Sequence, residues 1–278
     1  MEVHVSITLY TAPNCSRCSI LKEFLASRGQ TYTAFDFQAD KDAFNTFYRA
    51  HRAKLHRDAD NSLEFPIYES GDVVRQGIGE ILAFLLAGEG LSGCVGTTGL
   101  LHGWISGINI SACPAGQEEN LLNILRLLAK GGLKVVLDAD GRRPDLLEKA
   151  LGEGLVTRLL LNILGPAELY PVIAGGPLTP GDLKKSVTLA RGFKEAVIRI
   201  PVAAYKGADG AETRLTPAEA GAAAEMIFQA VGDRMLPCFV EAGAAGGLPK
   251  LVDTELLPYR SKMRNALPKA DVRKSETH

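Results

Sequence analysis

Two cysteines three positions apart, Cys15 and Cys18, stand where a strand-like run gives way to a helix-like one. Val5 to Tyr10 reads as a buried strand, and Ser19 to Ala26 reads as a helix. At a helix N-terminus the macrodipole and the free amides draw a thiol pKa from about 8.5 towards about 3.5–7.5. Cys15 is placed for that effect, and Arg17 adds a positive charge that would stabilise the same thiolate. Cys18, one turn on, is spaced to attack a mixed disulfide formed on Cys15 and release its substrate. Two other uses of such a pair are half of a metal site and ordinary small core residues. A metal site needs a second ligand pair, and His51, His56, His102, Cys94, Cys113 and Cys238 are not paired at ligand spacing. A CxxC between strand and helix therefore favours a redox couple, and no metal is expected.

The elements that must position this pair follow from periodicity. A strand is expected over 5–10, a helix over 16–28 closed by Gly29, a strand over 31–37 and a helix over 41–56. A hairpin turns at Ser70-Gly71-Asp72, between strands near 65–68 and 73–74, and a helix over 79–86 closes the group. The stretch 88–107 holds seven glycines in twenty residues, which suits connecting loops. Beyond it, apolar runs at 105–110, 133–137, 159–164, 196–202 and 236–240 alternate with helical patterns at 118–130, 144–153, 180–191 and 217–231. Three of those helices open with Pro, which has no amide to leave unbonded in a first turn. Alternation of this kind predicts an α/β fold with parallel strands, either an open sheet or part of a barrel. The expected organisation is thus 1–87, a Gly-rich connection over 88–104, a larger domain over 105–258 and a basic, solvated tail over 259–278.

Composition sets outer limits. The 278 residues are 46% apolar and 23% charged, enough material for a substantial core. Thirty-one basic against thirty-two acidic residues give a net charge of −1, so nothing electrostatic suggests nucleic acid or an anionic membrane as partner. No apolar run approaches the roughly 18 residues of a spanning helix, and Met1 to Val5 lacks the pattern of a secretion signal. A cytoplasmic location is the expectation. Arg49, His51, Arg52, Lys54, His56 and Arg57 make one locally basic stretch, read as a solvated helix face.

Residues 1–86 resemble the glutaredoxins, within the thioredoxin fold. The matching pieces are Tyr10-Thr-Ala-Pro-Asn-Cys-Ser-Arg-Cys18, Phe65-Pro66 before the hairpin, and Gly77-Ile-Gly79-Glu80. The resemblance implies a cis proline at Pro66 facing the cysteines, and a substrate groove drawn from Asn14, Phe65, Pro66 and Gly77. Where glutathione-using members carry Lys before the loop proline this chain has Ala12, and Ser16-Arg17 and Glu64-Phe65 replace Pro-Tyr and Thr-Val. Glutathione specificity is therefore not expected.

From about Leu91 the chain resembles the radical S-adenosylmethionine enzymes, especially the activating proteins of anaerobic ribonucleotide reductase. Ser111-Ala-Cys-Pro114 stands for a Gly-Gly-Glu-Pro loop, Leu137-Asp-Ala-Asp-Gly141 for Asp-Thr-Asn-Gly, and Leu161-Asn-Ile-Leu-Gly-Pro166 for Asp-Ile-Lys-Gly-Pro. Ile198 to Val202 and Thr216-Pro-Ala-Glu219 complete the order. The family holds an iron–sulfur cluster with CxxxCxxC, but here Cys94 is followed by Thr98 and Leu101 at the ligand positions, so one thiolate stands for three. The expectation is a cluster-free partial (β/α) barrel of about five strands behind a thioredoxin-like domain. Cys113, Asp140 and Arg199 are its candidate ligand residues at strand ends; a structural Asp140–Arg199 ion pair and a plain buried thiol at Cys113 are the alternatives. Cys94 and Cys113 are also possible participants in thiol exchange, whereas Cys238 reads as core. Together these features predict a thiol–disulfide oxidoreductase acting on a protein or small-molecule disulfide, its barrel selecting the substrate. A non-catalytic binding or assembly protein, docking a radical enzyme or a nucleotide-like ligand, is the second expectation. A third has Cys15 sharing an iron–sulfur centre with other thiols. Oligomeric state is left open.

Overall fold

The structure, a computed structural model, describes residues 6–57, 61–96, 103–207 and 209–274. It is an α/β protein with one mixed four-stranded sheet and one six-stranded sheet built on parallel strands. Val5, Thr98, Leu101 and His102, named above, lie outside the described residues. Two compact units are present, one of residues up to 109 together with 113–136, the other of 110–112 together with 137–278.

The first unit begins with β1 (Ile7–Thr11), α1 (Ser16–Ser27), β2 (Tyr32–Asp36) and α2 (Lys41–His51). It continues through β3 (Ile67–Ser70), β4 (Val73–Gln76) and α3 (Ile78–Ala87). Its sheet has the order β2-β1-β3-β4. β1 and β2 are parallel, pairing Ile7 with Tyr32 through Thr11 with Asp36, whereas β3 runs antiparallel to both β1 and β4. Gly71, at φ +57°, and Asp72 form the two-residue turn between β3 and β4, a place where glycine avoids the steric cost of a positive φ. Tyr10, Phe44, Phe47, Ile67 and Val74 form a core cluster. Tyr10 stacks on Phe47 with centroids 4.0 Å apart. The helix expected to reach residue 56 stops at His51, followed by a 3-10 turn over Arg52–Lys54. Leu55 is extended and packs against the aromatic cluster, which draws the chain away from the helix axis. The Phe65–Pro66 peptide is cis, the isomer expected for it.

The unit also takes in β5 (Trp104–Asn109) and α4 (Glu118–Lys130), so its limit falls at 136 rather than within 88–104. Packing explains this. α4 buries Leu121, Leu122, Ile124, Leu125 and Leu128 and lies against α3. Just past it, Gly131 approaches Ile20 of α1 so closely that a Cβ would sit 2.3 Å from that side chain.

The second unit carries β6 (Lys134–Ala139, its first residues in the other unit), α5 (Pro144–Gly152), β7 (Arg158–Asn162), α6 (Tyr170–Ala174) and α7 (Pro180–Gly192). β8 (Ala196–Val202), a hairpin of β9 (Ala204–Lys206) and β10 (Glu212–Arg214), and α8 (Pro217–Val231) follow. β11 (Phe239–Ala242), α9 (Leu257–Met263) and β12 (Asp271–Val272) end the described chain. The six-stranded sheet has the order β12-β11-β8-β7-β6-β5, with β7–β8, β8–β11 and β11–β12 parallel. Pro opens α5, α7 and α8, and in α8 the Thr216 hydroxyl and the Glu219 carboxylate form a capping box that satisfies two otherwise unbonded amides.

The segment expected to be a solvated tail is folded: α9 packs on α8, and β12 adds a sixth strand to the five expected. Tyr259, Met263, Ala266, Leu267 and Ala270 are buried, an apolar stripe interleaved with Arg260, Lys262, Arg264 and Lys269. Among the described residues no helix is long and apolar enough to cross a membrane. Leu267 is fully buried, so Leu267→Ala is expected to cost about 2–5 kcal/mol in urea unfolding, where a solvated tail would give no change.

Candidate functional site

Cys15 is the N-cap of α1, with extended backbone, and its Sγ accepts the Cys18 amide at 3.1 Å. Ser19 N–H donates to the Cys15 carbonyl at 3.1 Å, so the first helical turn closes directly around the sulfur. Asn14, at φ +53°, turns the chain into the helix in a left-handed conformation that Asn tolerates better than most residues. Cys15 and Cys18 are joined as a disulfide, with Cα atoms 5.2 Å apart. Their environments differ. Cys15 is partly exposed, whereas Cys18 is 3% exposed on the inner face of α1. An incoming thiol or disulfide meets Cys15 first.

Arg17, expected to stabilise the thiolate, is only 8% exposed. Its Nη1 lies 3.2 Å from Glu64 Oε1, and its Nη2 donates to the Trp104 carbonyl at 2.6 Å. Burial lowers the Arg17 pKa, and the Glu64 charge acts in the opposite sense. Since Glu64 is itself 5% exposed, the two charges neutralise each other in a place that would tolerate neither alone. The cationic help expected for Cys15 is thereby largely cancelled, leaving the helix terminus as its main electrostatic support.

The same pair ties the start of α1 to the segment before Phe65 and Pro66. A Cβ on Gly77 would stand 2.8 Å from the Glu64 carboxyl carbon, so this glycine, at φ +84°, makes room for the buried acid. Gly77 N–H donates to the Pro66 carbonyl at 2.9 Å, and Phe65 stacks on Phe37 with centroids 4.9 Å apart. Gln76 Nε2 donates to the carbonyls of Glu64 and His56, and Gln76 Oε1 accepts the His56 amide. Glu64 enters the sequence analysis only as a departure from the glutaredoxin pattern, and Gln76 not at all. The one available signal was an acid beside Phe65-Pro66, where the resemblance has Thr-Val.

Asp140 and Arg199 belong to different networks. Asp140 is gripped by Arg142, through Nε at 3.0 Å and Nη2 at 2.7 Å, while the Asp140 amide donates to Ser111 Oγ at 2.9 Å and Tyr170 Oη donates to the Asp140 carbonyl at 2.9 Å. Arg199 instead pairs with Asp138, Asn162 and Glu241, and the Asn162 amide donates to Asp138 at 2.9 Å. Burial raises the Asp138 pKa, opposed by Asn162 and Arg199. Asp138, Asn162, Arg199 and Glu241 form a row across β6, β7, β8 and β11, with Arg273 Nε 3.9 Å from Glu241. Each charge in the row meets an opposite charge or an amide, the arrangement expected of a satisfied polar layer.

Cys113 groups with the first unit, not with Asp140 and Arg199, so the three do not form one site within the second unit. It is buried, its Sγ 3.6 Å from the Pro114 carbonyl. Cys94 and Cys238 are buried as well, and burial pushes the Cys238 thiol up to about 12.

Two outcomes follow for the thiols and the ion pair. After mild reduction, brief iodoacetamide treatment at neutral pH should label Cys15 first by peptide mapping, and Cys94, Cys113 and Cys238 only in denaturant. Glu64→Ala should lower unfolding stability by about 3–5 kcal/mol by stranding Arg17, and the double change to Arg17→Met with Glu64→Leu should recover most of that loss.

No family model matches the chain, and no curated protein matches it. Among solved structures, endoglucanase Cel5A from Pseudomonas stutzeri aligns at 12% identity, with TM-score 0.23, over 58% of this chain and 67% of that one. The same endoglucanase in complex with cellobiose aligns at 12% identity and TM-score 0.23, over 58% of this chain and 65% of that one.

Proposed function

We propose that the protein is a glutaredoxin-like thiol–disulfide oxidoreductase, a cytoplasmic one, in which Cys15 attacks and Cys18 resolves. The observation that carries this reading is the position of Cys15: a partly exposed residue at the head of α1, its sulfur accepting the Cys18 amide and bonded to the sulfur of buried Cys18. The sheet order β2-β1-β3-β4 with α1, α2 and α3 supports assigning the first unit to the thioredoxin fold.

In the reaction the Cys15 thiolate attacks one sulfur of a substrate disulfide, forming a mixed disulfide and expelling the other substrate sulfur as thiolate. Cys18 then gives up its proton and attacks the Cys15 sulfur, releasing the second substrate thiol and leaving the Cys15–Cys18 disulfide. Substrate gains two electrons and the protein loses two. An external thiol reductant restores the dithiol by the reverse exchange. Phe65, Pro66, Gly77 and Asn14 would line the groove in which the substrate chain rests. Ala12, Ser16 and Glu64 in place of the residues of glutathione-using members favour a protein disulfide over glutathione.

The second unit, in this reading, is a cluster-free partial barrel that selects substrate or partner. A non-catalytic binding role is the competing reading, favoured by the partly exposed polar row Asp138, Asn162, Arg199 and Glu241. Activity separates the two. Cys15→Ser should reduce insulin disulfide reduction to background, and retention of that activity rejects the oxidoreductase. Cys18→Ser should accumulate a mixed disulfide on Cys15, recovered from cells quenched with acid and alkylated, separated by non-reducing electrophoresis and identified by mass.

A further inference from the structure

The four-stranded sheet ends on β4, and a cavity of about 360 Å³ runs beside that strand. Val74, Arg75 and Gln76 line it together with Lys54 and His56 on one side and Phe84 on the other. Strand pleating sets these sides. Val74 packs into the aromatic cluster and Gln76 holds the His56 backbone, so their side chains share one face of the sheet. Arg75 points to the opposite face, its guanidinium 4.9 Å from the Phe84 ring centroid and paired with Glu89.

The register decides where the main chain points. Ser70 and Val73 flank the two-residue turn, which makes them a pair that exchanges both main-chain hydrogen bonds, and by alternation Tyr68 and Arg75 are another. The main-chain groups of Val74 and Gln76 therefore face away from β3, along the side where the cavity lies. The Val74 carbonyl agrees with this, since it accepts the Arg75 side chain at 3.2 Å rather than a strand neighbour.

We propose that this groove binds an extended acidic peptide segment, which adds to β4 as a fifth strand of the sheet. Charge selects the occupant. Residues 43–57 contain no acid, and of their basic residues the exposed Lys54 and His56 line the groove. On the opposite side the Arg75 charge is already met by Glu89, an exposed carboxylate, so beside Phe84 that side suits apolar rather than acidic groups. Glu80 also lines the groove, its charge opposed by His56 and Arg75. The matching segment thus alternates acidic side chains, turned towards Lys54 and His56, with apolar ones turned towards Phe84. Main-chain bonds supply affinity in such additions, and alternate side chains supply selectivity. Neither Cys15 nor Cys18 lines the groove, so this surface stands apart from the redox reading.

Fluorescence anisotropy with the full chain tests it, using a fluorescein-labelled peptide of about eight alternating Glu and Val residues. Saturable binding is expected, weakened at least about tenfold by combined Lys54→Glu and His56→Glu, and likewise by Ser92→Trp, which fills the cavity from an exposed position. N-methylation of one alternate set of peptide amides should abolish binding, while methylation of the other set leaves it intact. No saturable binding, equal binding of a Lys and Val peptide, or equal binding of both N-methylated peptides overturns the proposal. So does displacement of the peptide by a short DNA duplex at lower concentration than by unlabelled peptide.

Discussion

Arg17 carries its charge into a position less than a tenth exposed, and a buried guanidinium persists only where an opposite charge and good acceptors meet it. Glu64 supplies the charge and the Trp104 carbonyl a second acceptor. Much of the surrounding structure accommodates that one interaction. Gly77 has no side chain because the Glu64 carboxylate occupies the space a Cβ would need, and Gln76 fixes the Glu64 backbone while gripping His56. The interaction joins the start of α1, the segment before Pro66 and β5, three pieces distant in sequence.

The pair also simplifies the electrostatics of the cysteines. Had Arg17 been unpaired, the first turn of α1 would have gained a net charge beside Cys15. With Glu64 opposite it, the support left for a Cys15 thiolate comes from the Cys18 amide and the helix dipole, both fixed by backbone and independent of salt-sensitive surface charges. The unequal exposure of the two cysteines gives the proposed exchange its order. The polar row in the second unit follows similar logic on a larger scale: Arg199 reaches an acid on β11, an amide on β7 and, beyond it, an acid on β6.

Much of this was legible in the sequence because it is written in local patterns. The CxxC at the strand-to-helix junction, the Gly71-Asp72 turn and the prolines opening α5, α7 and α8 act within a few residues of themselves. Long-range pairings left no such mark. Arg17 read as a helper of its nearest sulfur because Glu64, 47 positions away, carries no periodic signal. Asp140 and Arg199 looked like partners by strand-end position alone, while Arg142, two residues from Asp140, was overlooked. The C-terminal segment failed for another reason: its lysines and arginines outweigh the apolar stripe in composition, yet one face of a helix and one turn suffice to bury Tyr259, Met263 and Leu267.

The close approach of Gly131 to Ile20 bears on how the chain can be divided. Cutting in the glycine-rich stretch, the natural choice from composition, would strip α4 from α3 and leave apolar side chains of the cysteine-bearing unit facing water. Any division of the chain has to keep α4 with α3, so the tidy linker is a poor place for scissors.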